Sequence, residues 1–329
     1  MADNMTILVG TSGQGVLRSA DGGDTWRRIA IDQGLHSDAV VRCLAVHPNK
    51  PNLIYAGSDK GIYTSTDAGE NWELLDNPLN NYTVWALVID DEDPNLIYAG
   101  TGTPTPTVFF RSQDGGSSWQ KTSMEAAAEC PAVGTPRVTG IAIDPTDRQS
   151  IWVGIEVDGL RHSADGGDTW TTINHGAIPN LDIHNVAVSS GPPKTVIVVV
   201  NNDVYTSTDN GATWKSIGVR ENFDLGYPRG INVRPGSPNV IFLTLGDTTP
   251  GSTGCIMRSI DTGQSWQRLP LPVEPNTAMW VVNAQPADPQ IVFAGSRYGY
   301  LYRSDDGGDS WSKLKREFSE ISSVLWVAA

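Results

Sequence analysis

Cysteine is scarce in this chain: Cys43, Cys130 and Cys255 are the only three in 329 residues. They are far apart and odd in number, without metal-site spacing. That excludes a disulfide framework and leads us to expect free thiols in a reducing compartment, the cytoplasm. No stretch approaches 18 consecutive apolar residues, so no membrane insertion is expected. The opening MADNMTIL lacks a basic region followed by a long apolar run, so no signal peptide is expected either. Basic residues are also few: Lys and Arg total 23 against 37 Asp and Glu, a net charge of −14. That balance repels polyphosphate, so nucleic acid is not an expected partner. A 3.6-residue apolar period is missing throughout, which argues against helices. The 34 Gly and 21 Pro are spread evenly and mark no linker, so one domain over 1–329 is expected.

What is present is a repeat. The pattern S-x-D-x-G-x-(S/T/N)-W occurs seven times: SADGGDTW at 19, STDAGENW at 65, SQDGGSSW at 112, SADGGDTW again at 163, STDNGATW at 207, SIDTGQSW at 259 and SDDGGDSW at 304. The closing tryptophans are Trp26, Trp72, Trp119, Trp170, Trp214, Trp266 and Trp311, at spacings of 46, 47, 51, 44, 52 and 45. A period near 47 suits one four-stranded propeller blade. Before each box lies a short β-rich run such as GIYTS. Before that comes NLIYAG, SIWVG or QIVFAG, and before that an alternating run such as VRCLAV or VTGIAI. Tight proline turns such as HPNKPN separate the last two. From inside outward the strands are A, B, C and D.

The N-terminus supplies only B, C and D (MTILVG, GVLRS, WRRIA), so the missing A must be ISSVLWVA at the C-terminus. The expected fold is all-β: a single seven-bladed β-propeller of four-stranded antiparallel blades, the last shared by the N- and C-termini. Each box position has a structural reason. Asp accepts backbone N–H bonds two or three residues on. Gly permits positive φ, a hydroxyl closes the turn, and Trp covers it. The boxes are too short and too poor in carboxylates for calcium. Seven equivalent copies also argue against catalysis.

These boxes resemble the Asp-box, or BNR repeat, of sialidases, xyloglucan-cleaving glycosidases, sortilin-type receptors and the photosystem II assembly factor. The resemblance covers the whole chain and implies the propeller fold. It also implies that the boxes lie on C–D turns, on the face opposite an active site. Its members include enzymes, receptors and scaffolds, so it does not fix a function. The sialidase pattern implies three arginines on a carboxylate with a Tyr/Glu nucleophile pair. Arg42, Arg137 and Arg229 or Arg297 can supply the arginines, but an Arg-Ile-Pro element and a clear Tyr/Glu pair are absent. The xyloglucan-cleaving pattern implies two propellers with an aspartate pair between them, and this chain holds one. The assembly factor implies an arginine patch that binds protein.

The irregular loops are the D–A and B–C connections, such as TSMEAAAECPAVGTPR and LGDTTPGSTGC, so binding is expected on that face. Two residues before the apolar pair of each strand A stand Arg42, Trp85, Thr139, His184, Arg229, Trp280 and Ser322. This ring is expected to face a ligand. Guanidiniums suit oxyanions and indoles suit a sugar or aromatic ring, or stack on the arginines. Catalytic roles fall to His184 as acid or base and to Glu156, taken to follow strand B of the same blade and to orient the imidazole. Arg297 and Tyr298 (and Arg137) are expected near the mouth. His36 and His175 sit in D–A loops with no spacing that makes a metal set with His184. No metal or cofactor is expected. Two readings follow. One is a hydrolase or lyase, or a binder, of a small anionic sugar-like or aromatic ligand. The other is a non-catalytic scaffold for a protein partner.

Overall fold

Short alternating apolar runs bounded by Gly, Pro and Asp cannot bury one face as helices; they pair as strands and bury both faces between neighbouring sheets. The computed structural model describes residues 5–173 and 176–328. Those residues form seven four-stranded antiparallel sheets. The innermost strands are Val41–His47, Thr83–Ile89, Val138–Asp144, Ile183–Ser189, Tyr227–Val233, Met279–Gln285 and Ile321–Ala328. Successive inner strands touch all the way round, and Ile321–Ala328 meets Val41–His47, so the ring closes. The closing blade is shared as expected. Ile321–Ala328 pairs with Met5–Thr11, from Met5 opposite Ala328 to Thr11 opposite Ile321.

The core lies between the blades. Seven apolar clusters each join two adjacent sheets. Phe109, Phe242 and Phe293 are fully buried there, and each such side chain contributes about 1.5–3 kcal/mol by leaving water. The outermost strands are only two residues long, for example Arg27–Arg28 and Lys215–Ser216. Edges so short offer little to pair with another chain.

The repeated box folds its own turn. Ser19 Oγ donates to Asp21 Oδ1 at 2.7 Å and accepts from Gly23 N at 2.8 Å. The other Asp21 bonds come from the backbone and hydroxyl of Thr25, and Trp26 Nε1 donates to Gly23 O at 2.9 Å. The aspartate therefore reaches four residues on, one residue further than the sequence suggests. The first turn position takes a positive φ even where it is not glycine, as at Ala68, Asn210 and Thr262. Its carbonyl then points at the preceding blade. Arg18, Arg111 and Arg258 donate to Ala68, Gly166 and Gly307 in this way. Arg303 donates to Gly22 at 3.2 Å across the ring closure. Tyr98 OH adds a second bond to Gly166 O at 2.8 Å. The box is thus a joint between blades.

Candidate functional site

Every inner strand carries a β-bulge at the same height. Pairing skips from Val41 to Cys43, from Val84 to Ala86, from Val138 to Gly140, from Ile183 to Asn185 and from Met279 to Val281. It also shifts between Pro228 and Ile231, and around Ser322 opposite Gly10 and Thr11. The unpaired residues are Arg42, Trp85, Thr139, His184, Arg229 (with Gly230) and Trp280, with Ser322 at the seventh, so the ring read from the sequence is a ring of bulges. A bulge leaves its residue out of the ladder and re-aims the side chain. Glycines of strand B make room for this. A Cβ on Gly100 would meet Val138 at 2.4 Å, and one on Gly154 would meet Ile183 at 2.5 Å. The glycine ending YAG and WVG was the available sequence signal for the bulge.

All seven ring residues line one cavity of about 740 Å³ at the D–A and B–C end of the axis, a size suited to a small organic ligand. Arg137, Glu156 and Arg297 line it too, with Asp182, Asn201, Tyr227, Thr249 and Glu320, which the sequence reading did not select. Asn185 borders both this cavity and a second one of about 410 Å³ at the other end of the axis, beside Asp90 and Asp144. Tyr298 is a correction: it does not line the cavity, and its half-exposed ring lies outside, 5.9 Å from the Arg297 guanidinium.

The ring divides by chemistry. Three members spend a donor on the next blade's carbonyl, just before its bulge. Thr139 Oγ1 donates to Ile183 O at 2.6 Å, His184 Nδ1 pairs with Pro228 O at 2.7 Å, and Ser322 Oγ donates to Val41 O. Thr139 and Ser322 therefore line the cavity while their hydroxyl protons tie blades together. The other four form two stacks. Arg42 lies 4.0 Å and Arg137 4.6 Å from the centre of the Trp85 ring. Arg229 lies 4.1 Å and Arg297 4.7 Å from the centre of the Trp280 ring. The indoles thus serve the guanidiniums, which leaves less of their faces for a sugar.

Glu156 does not orient the imidazole. It belongs to the blade before that of His184, and its carboxylate pairs with Arg137 Nε. The orienting group is Pro228 O. A proton on Nδ1, the tautomer that this carbonyl selects, leaves the Nε2 lone pair facing Asp182 Oδ2 at 3.8 Å. Burial, then the charge of Arg229, holds the His184 pKa well below its usual value. His184 is therefore neutral near pH 7 and is not the proton donor that the sequence allowed. The carboxyl beside it is Asp182, whose pKa desolvation and then Glu156 raise from its ordinary value. Asp158 turns away to pair with Arg161 at 2.7 Å.

Donor atoms of Glu156, Asp182 and His184 lie within 4.8 Å of one another, close enough to hold a metal ion. The groups around them oppose a dication. Arg137 already neutralises Glu156, and Arg229 adds positive charge beside His184. His175 lies outside the described residues. Arg42 and Arg229 are not paired with Asp38 and Asp224. The Asp224 carboxylate faces Arg268 at 3.6 Å instead.

Residues 1–220 match a family model described as the DUF6242 beta propeller domain. The chain belongs to that propeller family. Residues 202–327 also match a Sortilin-Vps10 model. Among relatives, a xyloglucanase, Xgh74A of Acetivibrio thermocellus, is 27% identical over 82% of this chain and 38% of its own length. A Paenibacillus xyloglucanase is 24% identical over 92% of this chain and 34% of its own. The chain thus spans less than two fifths of the length of each of these two relatives. Two solved structures share the fold. An ancestral GH74 enzyme has a TM-score of 0.63 at 20% identity, covering 88% of this chain and 38% of its own. YCF48 from Cyanidioschyzon merolae has a TM-score of 0.62 at 17% identity, covering 88% and 94%. YCF48 has also been solved bound to D1 peptide, with a TM-score of 0.62 at 16% identity, over 99% of this chain and 89% of that one.

Proposed function

We propose that the axial cavity binds an anionic, ring-containing ligand of the sugar-acid class and that the protein acts on it as a hydrolase or lyase. One observation carries this reading. Arg42 and Arg229 stand at the cavity wall with no carboxylate in ion-pair reach among the described residues. An enclosed cation without a counter-ion is costly, and an oxyanion that forks onto it removes the cost. Relatives named xyloglucanases support a sugar as the rest of the ligand.

Glycoside hydrolysis by two carboxylates needs both free, with room between them. Glu156 is committed to Arg137, which favours elimination. An arginine-neutralised carboxylate acidifies the neighbouring C–H of the sugar. The C–H proton passes to His184 Nε2. The C–O bond at the next carbon breaks with its electrons on oxygen, and that oxygen takes a proton from water. Ionised Asp182 lies beside Nε2 and stabilises the new imidazolium, which offsets the low basicity of His184.

The test is thermal shift with galacturonate against neutral galactose, on wild type and the Arg42→Gln/Arg229→Gln double variant, followed by assay of galacturonate oligomers for unsaturated product. Galacturonate alone should stabilise the wild type, and the double variant should lose the effect. Equal stabilisation by galactose, or an unchanged response in the double variant, overturns the reading. A scaffold role is the second reading. It is favoured by the structure of YCF48 bound to D1 peptide in this fold, because a peptide also carries carboxylates. Stabilisation by an acidic peptide, with no response to any sugar acid, would select it.

A further inference from the structure

The two Arg–Trp stacks are built alike, and this similarity defines the ligand more narrowly. In each, an indole carries two guanidiniums, one compensated and one not. Arg137 is compensated by Glu156, and Arg297 by Glu320 at 3.3 Å. The uncompensated member, Arg42 or Arg229, occupies the bulge of the preceding blade. Arg42 has only Ser12 Oγ, at 3.2 Å, as a hydrogen-bond acceptor. Arg229 has none among the described residues.

The two open guanidiniums are separate seats. Around the ring they stand three blades apart, which in a seven-bladed propeller is almost across the axis. Their acidic neighbours differ: Glu320 and Asp59 act on Arg42, whereas Tyr227, Glu156 and Asp182 act on Arg229, and the charge of Arg137 reaches both. One carboxylate, with oxygens about 2 Å apart, cannot fork onto both.

We infer that the cavity takes a ligand bearing two oxyanion groups, one on each open arginine, joined by a polar middle. This rests on the anion-binding reading and sharpens it from a sugar acid to a doubly anionic sugar, such as two linked uronic acids or a sugar bisphosphate. The lining between the seats, Asp182 and Asn201 among it, offers hydroxyl partners for such a middle. Three carboxylates and four guanidiniums line the cavity, which leaves net positive charge for the ligand to meet.

The experiment is isothermal titration of four probes in pairs: galacturonate with digalacturonate, and fructose 6-phosphate with fructose 1,6-bisphosphate. Each is titrated into wild type, Arg42→Gln and Arg229→Gln, and into the Arg→Lys variants, which keep a charge if the glutamines fold poorly. In at least one pair the two-anion probe should bind about tenfold or more tighter than its partner, because the second contact is intramolecular. Either single variant should abolish that advantage while weakening the one-anion probe only about twofold, the statistical loss of one of two seats. Whichever pair responds distinguishes carboxylate from phosphate. Equal affinity of both members in both pairs overturns the two-seat inference and leaves the anion reading standing. If no probe binds the wild type, both fall.

Discussion

Asp182 is held at a cost. Its Oδ1 is buried without a hydrogen bond, and its Oδ2 accepts from Asn201 at 2.9 Å while facing the His184 lone pair. Desolvation and Glu156 raise its pKa in the folded state. A raised carboxyl pKa favours folding while the group is protonated. That contribution is lost as pH climbs through the unfolded value toward the folded one. Asp182→Asn should therefore raise Tm near neutral pH by up to a few degrees and by almost nothing at about pH 2.5, well below the ordinary Asp value, where both states are protonated. Melting curves across pH check this; parallel curves for the two proteins would show that the carboxyl carries no such cost. Stability held back at a cavity carboxyl is the usual mark of a residue kept for chemistry. The residue was not readable in advance, because LDIHNV offers no pattern that places Asp182 beside Glu156, in the loop before its strand. Arg42 and Arg229 were readable, because they precede a regular apolar pair.

At the scale of the element, the box turn behaves oppositely. Hydrogen bonds from Thr25, first its side chain and then its backbone, hold Asp21 down to about 2. Asp165, Asp209 and Asp306 are held at about 2 in the same way. Asp67, Asp114 and Asp261 lie below the usual range as well. A depressed carboxyl pKa adds stability that is complete above the unfolded value and disappears as pH falls through the folded one. Seven such groups act in one window, so Tm should fall steeply between about pH 4 and pH 2. Asp209→Asn should make that fall shallower while lowering Tm near neutral pH, because the Thr213 hydroxyl loses its Oδ2 acceptor and the bonds that Oδ1 accepts from Ser207 and the Thr213 backbone lose their charge assistance. Scanning calorimetry over that range is the measurement, and an unchanged slope in the variant would show that the turns do not drive acid unfolding. The bulge was the element least visible beforehand. Its signal, a strand-B glycine, looks in sequence like the end of a strand, and only the approach of Val138 to Gly100 explains it.

For the molecule as a whole, closure depends on one ladder. Removing residues 321–328 would leave Met5–Thr11 as an exposed edge and strip Leu325 and Trp326, both buried, from the clusters on either side. The inner ring would also lose Ser322, whose hydroxyl ties Gly10 O to Val41 O. The shortened chain should aggregate or melt far below the full protein, as read by light scattering and calorimetry. A monomer with the original Tm would show that the ring does not need its last strand.

The sequence by itself determined the architecture. Seven boxes at a near-constant spacing, with an unpaired strand at each end, leave one way to satisfy every edge. It also placed the five large ring residues, because each stands two positions before the apolar pair of its strand. Tertiary structure alone decided their partners. Ion pairs such as Arg137 with Glu156, the bond from His184 to Pro228, and the open guanidiniums of Arg42 and Arg229 all depend on groups brought together across blades. No periodicity records such contacts. Electrostatics and hydrogen bonding act over a few ångströms of space, while the groups they join lie 19 to 44 residues apart in the chain.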